Sequence, residues 1–367
     1  MHIFDVSDIS SKKEFMSNLS RTVLRYSPHK ALELTSESIP DIPPDGVLIT
    51  VLAVGVCGTD MHILEGTFTA ADGVILGHEV SGVVDSIGPS VDHLHPGDLV
   101  SLEPHWYCGS CTYCRDGQEH HCMSKKGYGV KLDGGMATQI VVPARIAYLL
   151  PPEINPLIGA MGEPLSCAVH AMERLNPRLG ESILISGAGP SGAILITLAK
   201  ARGLHPIVVL EPSEQRRQTA LEMGASHAYS PAEFSPGTES PELCPIPSDK
   251  GGYHNAVDAV GKAEVIEQLI PQLRKGGTLL CFGVAAPNDS FPLYPRQVFE
   301  SELTILGSII NPYTHERSIS LLEYLPLEAI PAKVFRLEDF ANAFDVQRQA
   351  EAKVFISPNP ELLERFQ

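Results

Sequence analysis

The sequence predicts an α/β plus β architecture, an all-β barrel or sandwich followed by a doubly wound parallel sheet. Three observations predict it. Residues 21–152 read as short β-branched runs broken by Gly and Pro, whereas strands and helices alternate in the following half. Between one such strand and one such helix stands a glycine-rich loop, Gly187-Ala188-Gly189-Pro190-Ser191-Gly192. At 367 residues the chain is long enough for two domains, each with its own core.

Taken in order, residues 1–20 are polar and aperiodic and are expected to form an N-terminal extension. Strands are expected over 47–54 and 80–88, and Pro96-Gly97-Asp98 is a turn leading into a strand over 99–102. A β domain over 21–155 follows from these. After Pro152 the rhythm lengthens. A helix is expected over 163–175, a buried strand over 182–186, and an apolar helix over 190–201 ended by Gly203. Next come a strand over 206–210, a helix over 213–223 stopped by Gly224, a strand over 256–260, a helix over 263–273 and a strand over 278–282. The sheet domain is placed at 156–297. The stretch 230–252 holds five prolines, at 231, 236, 241, 245 and 247, and is expected to be a surface loop.

Apolar residues are 43% of the chain and charged residues 19%, a globular balance. The formal net charge of -17 argues against a nucleic-acid partner, which needs clustered Lys and Arg. No apolar run reaches the ~18 residues of a membrane span. The first residues, Met1-His2-Ile3-Phe4-Asp5, lack a basic stretch followed by an apolar one, so no secretory signal is expected and the protein is expected in the cytoplasm.

Of the eight cysteines, four fall within fifteen residues: Cys108, Cys111, Cys114 and Cys122. In a long chain without a signal such a cluster points to metal. Four thiolates complete a tetrahedral zinc shell, and a shell without an open position is structural. An iron–sulfur cluster or redox-active thiols are the alternatives. In the glycine loop, Gly187 permits the turn, Gly189 lets the backbone approach a pyrophosphate, and Gly192 lets helix and strand pack closely. Pro190 suits a first helical turn, where its missing N–H costs nothing, and Ser191 shares that turn. The helix start then offers N–H groups to phosphates. Glu211, at the end of the next strand, is placed to accept from ribose hydroxyls, which favours NAD over NADP. Arg216 and Arg217 temper that preference, because arginine can hold a 2′-phosphate. An ordinary strand-end carboxylate is the plainer reading of Glu211.

A second metal site is assembled from separated residues: Cys57 in Val56-Cys57-Gly58-Thr59-Asp60, His78 and Glu79 in Gly77-His78-Glu79, and Glu163 in Gly162-Glu163-Pro164. Cys, His and carboxylate together leave a fourth position open, as catalytic zinc requires. Singly, each has an ordinary explanation: a buried small residue, a core imidazole, an acid near a helix start.

These segments, with the four-cysteine lobe and the glycine loop, follow the order seen in zinc-dependent medium-chain dehydrogenases, which the chain resembles from about Arg21 to about Ile356. Gly162-Glu163-Pro164-Leu165-Ser166 resembles the polyol (sorbitol) and threonine dehydrogenase branches. The resemblance implies a GroES-like catalytic domain over 21–155 with its zinc lobe at 105–125, a Rossmann domain over 156–297, and a return to the first domain over 298–367. It implies two zinc ions per chain, NAD, a small-molecule alcohol substrate and a homodimer or homotetramer. It also implies Cys57, His78, Glu79 and Glu163 around the catalytic ion, with a proton relay through Thr59 and His62. A turn hydroxyl and a surface histidine are the plainer readings of those two. Oxidation of a polyol or other secondary alcohol to a ketone is the expected reaction. L-Threonine 3-dehydrogenation or another amino-alcohol oxidation is the alternative, and a non-catalytic protein on the same fold is a third. Phe68, Arg296 and Phe299 are candidates for the substrate walls. The chain departs from the family in its N-terminal extension and its long loop 231–247. Many sorbitol dehydrogenases also lack the four-cysteine lobe.

Overall fold

The structure is a computed structural model that describes residues 20–27, 31–234, 251–349 and 352–366. The expected extension up to residue 19, and the expected loop from residue 235 to 247, lie outside the described residues.

The chain opens with a hairpin of β1 (Ser20–Ser27) and β2 (Ala31–Ser38). The apolar run of β3 (Gly46–Gly55) is buried along its whole length, as befits a strand covered on both faces. It leads into α1 (Gly58–Leu64), β4 (Glu79–Ile87), β5 (Leu99–Leu102) and β6 (His105–Trp106). Next come α2 (Thr112–Arg115), β7 (Lys126–Gly127), β8 (Gln139–Pro143), β9 (Ala147–Leu149) and α3 (Pro156–Ala160). β3 pairs antiparallel with β4, from Val47↔Ile87 to Gly55↔Glu79, and with β8. β5 and β9 extend the sheet beyond β4. Its core gathers Val47, Ile49, Val51, Ile63, Ile75 and Ile140, all at most 1% exposed.

α4 (Gly162–Leu175) carries the chain into β10 (Ile183–Ser186), α5 (Pro190–Ala201), β11 (Ile207–Leu210), α6 (Glu214–Met223) and β12 (His227–Tyr229). β13 (Tyr253–Asp258), α7 (Ala263–Leu269), β14 (Leu273–Cys281), α8 (Pro295–Ser301), β15 (Thr304–Gly307) and α9 (His315–Leu322) complete this part. Six parallel strands stand in the order β12-β11-β10-β13-β14-β15. The helix expected over 263–273 ends at Leu269. Pro271 has no N–H to continue the ladder, so the chain makes one 3-10 turn and enters β14 earlier than expected.

The chain then returns through β16 (Ala332–Arg336), α10 (Phe340–Gln349), β17 (Lys353–Ser357) and α11 (Pro360–Leu363). β17 joins the first sheet beside β3, with Phe355 opposite Gly55. The two compact units are 1–163 with 332–349 and 354–367, and 164–331 with 350–353. Both expected boundaries, 156 and 298, therefore move. The Ser81 hydroxyl donates to the Pro156 carbonyl at 2.6 Å, which ties α3 to the first unit. β15 pairs with β14 from Thr278↔Thr304, so the parallel sheet is complete only after residue 307.

Candidate active site

Cys57 stands where β3 hands over to α1, as the residue capping that helix. Its N–H donates to Asp60 Oδ2 at 2.9 Å, which fixes the turn, and its Sγ lies 3.8 Å from Thr59 Oγ1. His78 and Glu79 stand at the start of β4, 8% and 2% exposed. Each of Cys57, His78 and Glu79 offers a ligand atom within 4.8 Å of the others. Glu163, expected either to reach the ion through a water or to ligate it directly, is buried in the first turn of α4 and lies outside the set of three whose ligand atoms converge. It acts on His78 through charge.

The electrostatics explain what this cage wants. Burial pulls His78 down. The Cys57 sulfur, the buried Asp60 carboxyl and Glu163 outweigh it, so the ring is held well above its ordinary value. Burial pushes the Asp60 carboxyl up, against the pull of His78 and the Cys57 N–H. His78 Nδ1 and Asp60 Oδ1 are buried, 3.8 Å apart, and neither has a hydrogen-bond partner. Acids and a thiol crowded round one imidazole make a site that draws positive charge. Thiolate, imidazole and carboxylate are the donors that zinc takes, so the residues present fit that ion. Asp60 is then the outer carboxylate that would orient His78. Sequence reasoning missed it, although an acid three residues into a helix start was a readable sign. His62 follows on α1, 36% exposed in its side chain, with Nδ1 3.2 Å from the Thr67 hydroxyl.

Cys108, Cys111, Cys114 and Cys122 bring their sulfurs within 4.8 Å of one another, and all are free thiols. Gly109 and Gly117, both with φ near +70°, turn the loop around them. The N–H of Cys111 donates to Cys108 Sγ at 3.3 Å, and that of Cys108 to Cys122 Sγ at 3.4 Å. Backbone N–H groups of Ser110 and Cys111 lower the Cys108 thiol to about 6, and those of Cys114 and Met123 lower Cys111. Burial and the neighbouring Cys111 and Cys122 sulfurs instead push Cys114 up to about 12, so the crowded sulfurs do not all ionise unaided. Four sulfurs at this spacing fit zinc in a closed site, where the ion would take the place of the remaining protons.

In the second unit, Gly187 follows β10 with φ +94°. A side chain at Gly192 would collide with the Gly187 backbone, whereas nothing lies within 4 Å of where one at Gly189 would point. Gly192 is thus a packing glycine and Gly189 an opening toward a ligand. Gly189 caps α5, Pro190 occupies its first position, and Ser191 beside it is exposed. Gly189, Pro190, Arg216, Thr219, Pro331 and Lys353 line a pocket at this helix start. Two cations beside a helix N-terminus suit a pyrophosphate. Lys353 lies far along the chain, and no local motif announced it. Glu211 is 2% exposed. Its Oε2 accepts from the Ala188 N–H at 2.8 Å, and its Oε1 from the Ser213 N–H at 2.9 Å and from Arg216 at 2.6 Å. The expected ribose acceptor is therefore already paired with the arginine that tempers it. Of the candidate substrate walls, Phe68 is 41% and Phe299 83% exposed, and Arg296 bonds Glu300 at 2.7 Å.

Residues 43–152 match the alcohol dehydrogenase GroES-like domain, and residues 190–323 the zinc-binding dehydrogenase domain. L-Threonine 3-dehydrogenase of Pyrococcus horikoshii is 37% identical over 80% of this chain and 83% of its own length. D-Arabitol-phosphate dehydrogenase of Enterococcus avium is 31% identical over 94% and 99%. A zinc-binding dehydrogenase of Sinorhizobium meliloti, crystallised with NADP, superposes with a TM-score of 0.85 at 28% identity, over 93% of this chain and all of that one.

Proposed function

The chain belongs to the zinc-dependent medium-chain alcohol dehydrogenase family, and from that premise we propose that it oxidises a polyol or similar secondary alcohol to a ketone, with NAD as hydride acceptor. The observation that carries this reading is the convergence of Cys57, His78 and Glu79 within 4.8 Å, three donors where a tetrahedral ion takes four. Zinc bound there supplies a Lewis acid that lets an alcohol lose its proton near neutral pH. Cys57, His78 and Glu79 hold the ion, Asp60 orients His78, and Glu163 adds a nearby negative charge. Thr59, beside Cys57, takes the alcohol proton, and the half-exposed His62 passes it to water. Gly187, Gly189 and Gly192 with the α5 N-terminus hold the coenzyme phosphates, Arg216 and Lys353 add charge there, and Glu211 faces the ribose. Cys108, Cys111, Cys114 and Cys122 hold the second, structural zinc.

A second reading is supported by a different observation: relatives at 35–37% identity are L-threonine 3-dehydrogenases, so an amino alcohol is the rival substrate. NAD reduction by the zinc-loaded protein, followed by NADH absorbance across sorbitol, arabinitol, their phosphates and L-threonine, decides between them. Turnover of none of these would sink both readings.

We place the enzyme in the cytoplasm, a reducing compartment in which four adjacent free thiols persist. We also propose a homodimer or homotetramer. β15 closes one edge of the parallel sheet and leaves its outer side unpaired among the described residues, with Tyr294 and Phe299 exposed nearby.

A further inference from the structure

Successive residues of a strand send their side chains to opposite faces, so neighbours do not ordinarily reach one ion. His78 and Glu79 are neighbours, and Glu79 opens β4. Their ligand atoms nonetheless lie within 4.8 Å of each other and of Cys57. His78 lies just before the strand and Glu79 is its first residue, and the Glu79 carboxylate occupies the space over Gly55. Gly55 is the last residue of β3 and the direct partner of Glu79 in the antiparallel register. Opposed residues there hold their Cβ atoms only ~4.5–5.5 Å apart, so a side chain at 55 would stand in the carboxylate's path.

The fit is specific. A methyl group built on Gly55 overlaps a carboxylate oxygen of Glu79 and lies 3.0 Å from its Cδ and 3.1 Å from its Cβ. The backbone does not call for glycine at this position. Gly55 has no positive φ, and glycine weakens a strand interior. Space for Glu79 is what its missing side chain provides.

We propose that Gly55 is a positioning residue of the metal site, the absence of its side chain letting the Glu79 carboxylate lie over it and join Cys57 and His78. The inference rests on the reading of those three residues as ligands. The severe overlap is with the carboxylate, the far end of a flexible side chain, so alanine at 55 displaces the ligand, while the 3.1 Å approach to the Glu79 Cβ asks the two strands to give by a few tenths of an ångström.

The test compares wild type, Gly55→Ala, Glu79→Ala and the double variant. Zinc affinity of the Cys57 site is read by competition with a chromogenic chelator, and ligand geometry by the visible spectrum of the cobalt-substituted protein. Zinc in the four-cysteine lobe reports folding. Gly55→Ala is expected to weaken zinc binding about 10- to 100-fold, the scale of a lost supporting contact, and to change the cobalt spectrum. Added to Glu79→Ala, it is expected to change nothing further, because both act through one carboxylate. Should Gly55→Ala fail to fold while the double variant folds, the clash with Glu79 is likewise supported. Wild-type affinity and spectrum in Gly55→Ala, beside weakened binding in Glu79→Ala, overturn the role of Gly55 alone. Failure of both Gly55→Ala and the double variant to fold overturns it too. Wild-type affinity in Glu79→Ala overturns the ligand reading and this inference together.

Discussion

Cys57 and Asp60 show how much of the chemistry depends on single side chains. The thiol supplies a donor, while the carboxyl, wholly buried, fixes the turn through the Cys57 N–H and faces His78. Cys57→Ser is expected to reduce bound zinc from two ions per chain to one and to abolish turnover. Elemental analysis with a rate assay checks this, and an active variant retaining both ions would refute it. Asp60→Asn keeps the shape and removes the charge; zinc affinity of that site is expected to fall about 10- to 100-fold. At the coenzyme site, Arg216 partly neutralises Glu211 from 2.6 Å. Arg216→Ala leaves the carboxylate to repel a 2′-phosphate unaided. Preference for NAD over NADP, measured as the ratio of kcat/KM values, is expected to rise roughly five- to tenfold, the scale of about 1 kcal/mol. An unchanged ratio removes Arg216 from coenzyme selection.

Elements carry the next level. α2 has no buried residue of its own, and of the four cysteines around it only Cys122 is buried, so the sulfurs and the ion they would hold are what tie this loop together. Cys111→Ser is expected to lower the melting temperature while whatever remains folded still turns over, in contrast to Cys57→Ser. α9 begins at His315, fully buried, where burial lowers its pKa to about 3. An unfolded histidine titrates near 6.5, so below that pH the unfolded state binds a proton that the folded state refuses. Stability is complete above about 6.5 and is lost as pH falls, by about 1.4 kcal/mol per pH unit from this one group. Replacement by Gln should flatten the melting-temperature profile between pH 6.5 and 5; an identical slope in wild type and variant would show that His315 does not drive it. At this scale β10, α5, β11 and α6 lay close to the expected spans, because Gly187, Gly203, Ser213 and Gly224 mark their ends chemically. The end of α7 was not legible from periodicity, since Pro271 overrides an apolar pattern that runs past it.

Across the whole molecule, the two metal sites differ in the number of protein donors, three at Cys57, His78 and Glu79 and four in the cysteine lobe. A chelator is expected to strip the Cys57 site first, with loss of turnover, and the four-cysteine lobe later, with loss of structure; simultaneous release of both ions would contradict that order. Light scattering of the purified protein tests the proposed oligomer, a monomer at all concentrations being the contrary result. The sequence by itself determined the fold class, the glycine loop, the cysteine cluster and the residue types of the Cys57 site, because each depends on local spacing or on chemistry written in a few letters. Tertiary structure alone decided that Glu79 reaches across to Gly55, that Arg216 already occupies Glu211, that Lys353 lies by the glycine loop and that Glu163 stands outside the inner ligand set. Those facts depend on strand register and on contacts between distant segments, which are fixed when the whole chain packs and are not encoded in any short stretch of it.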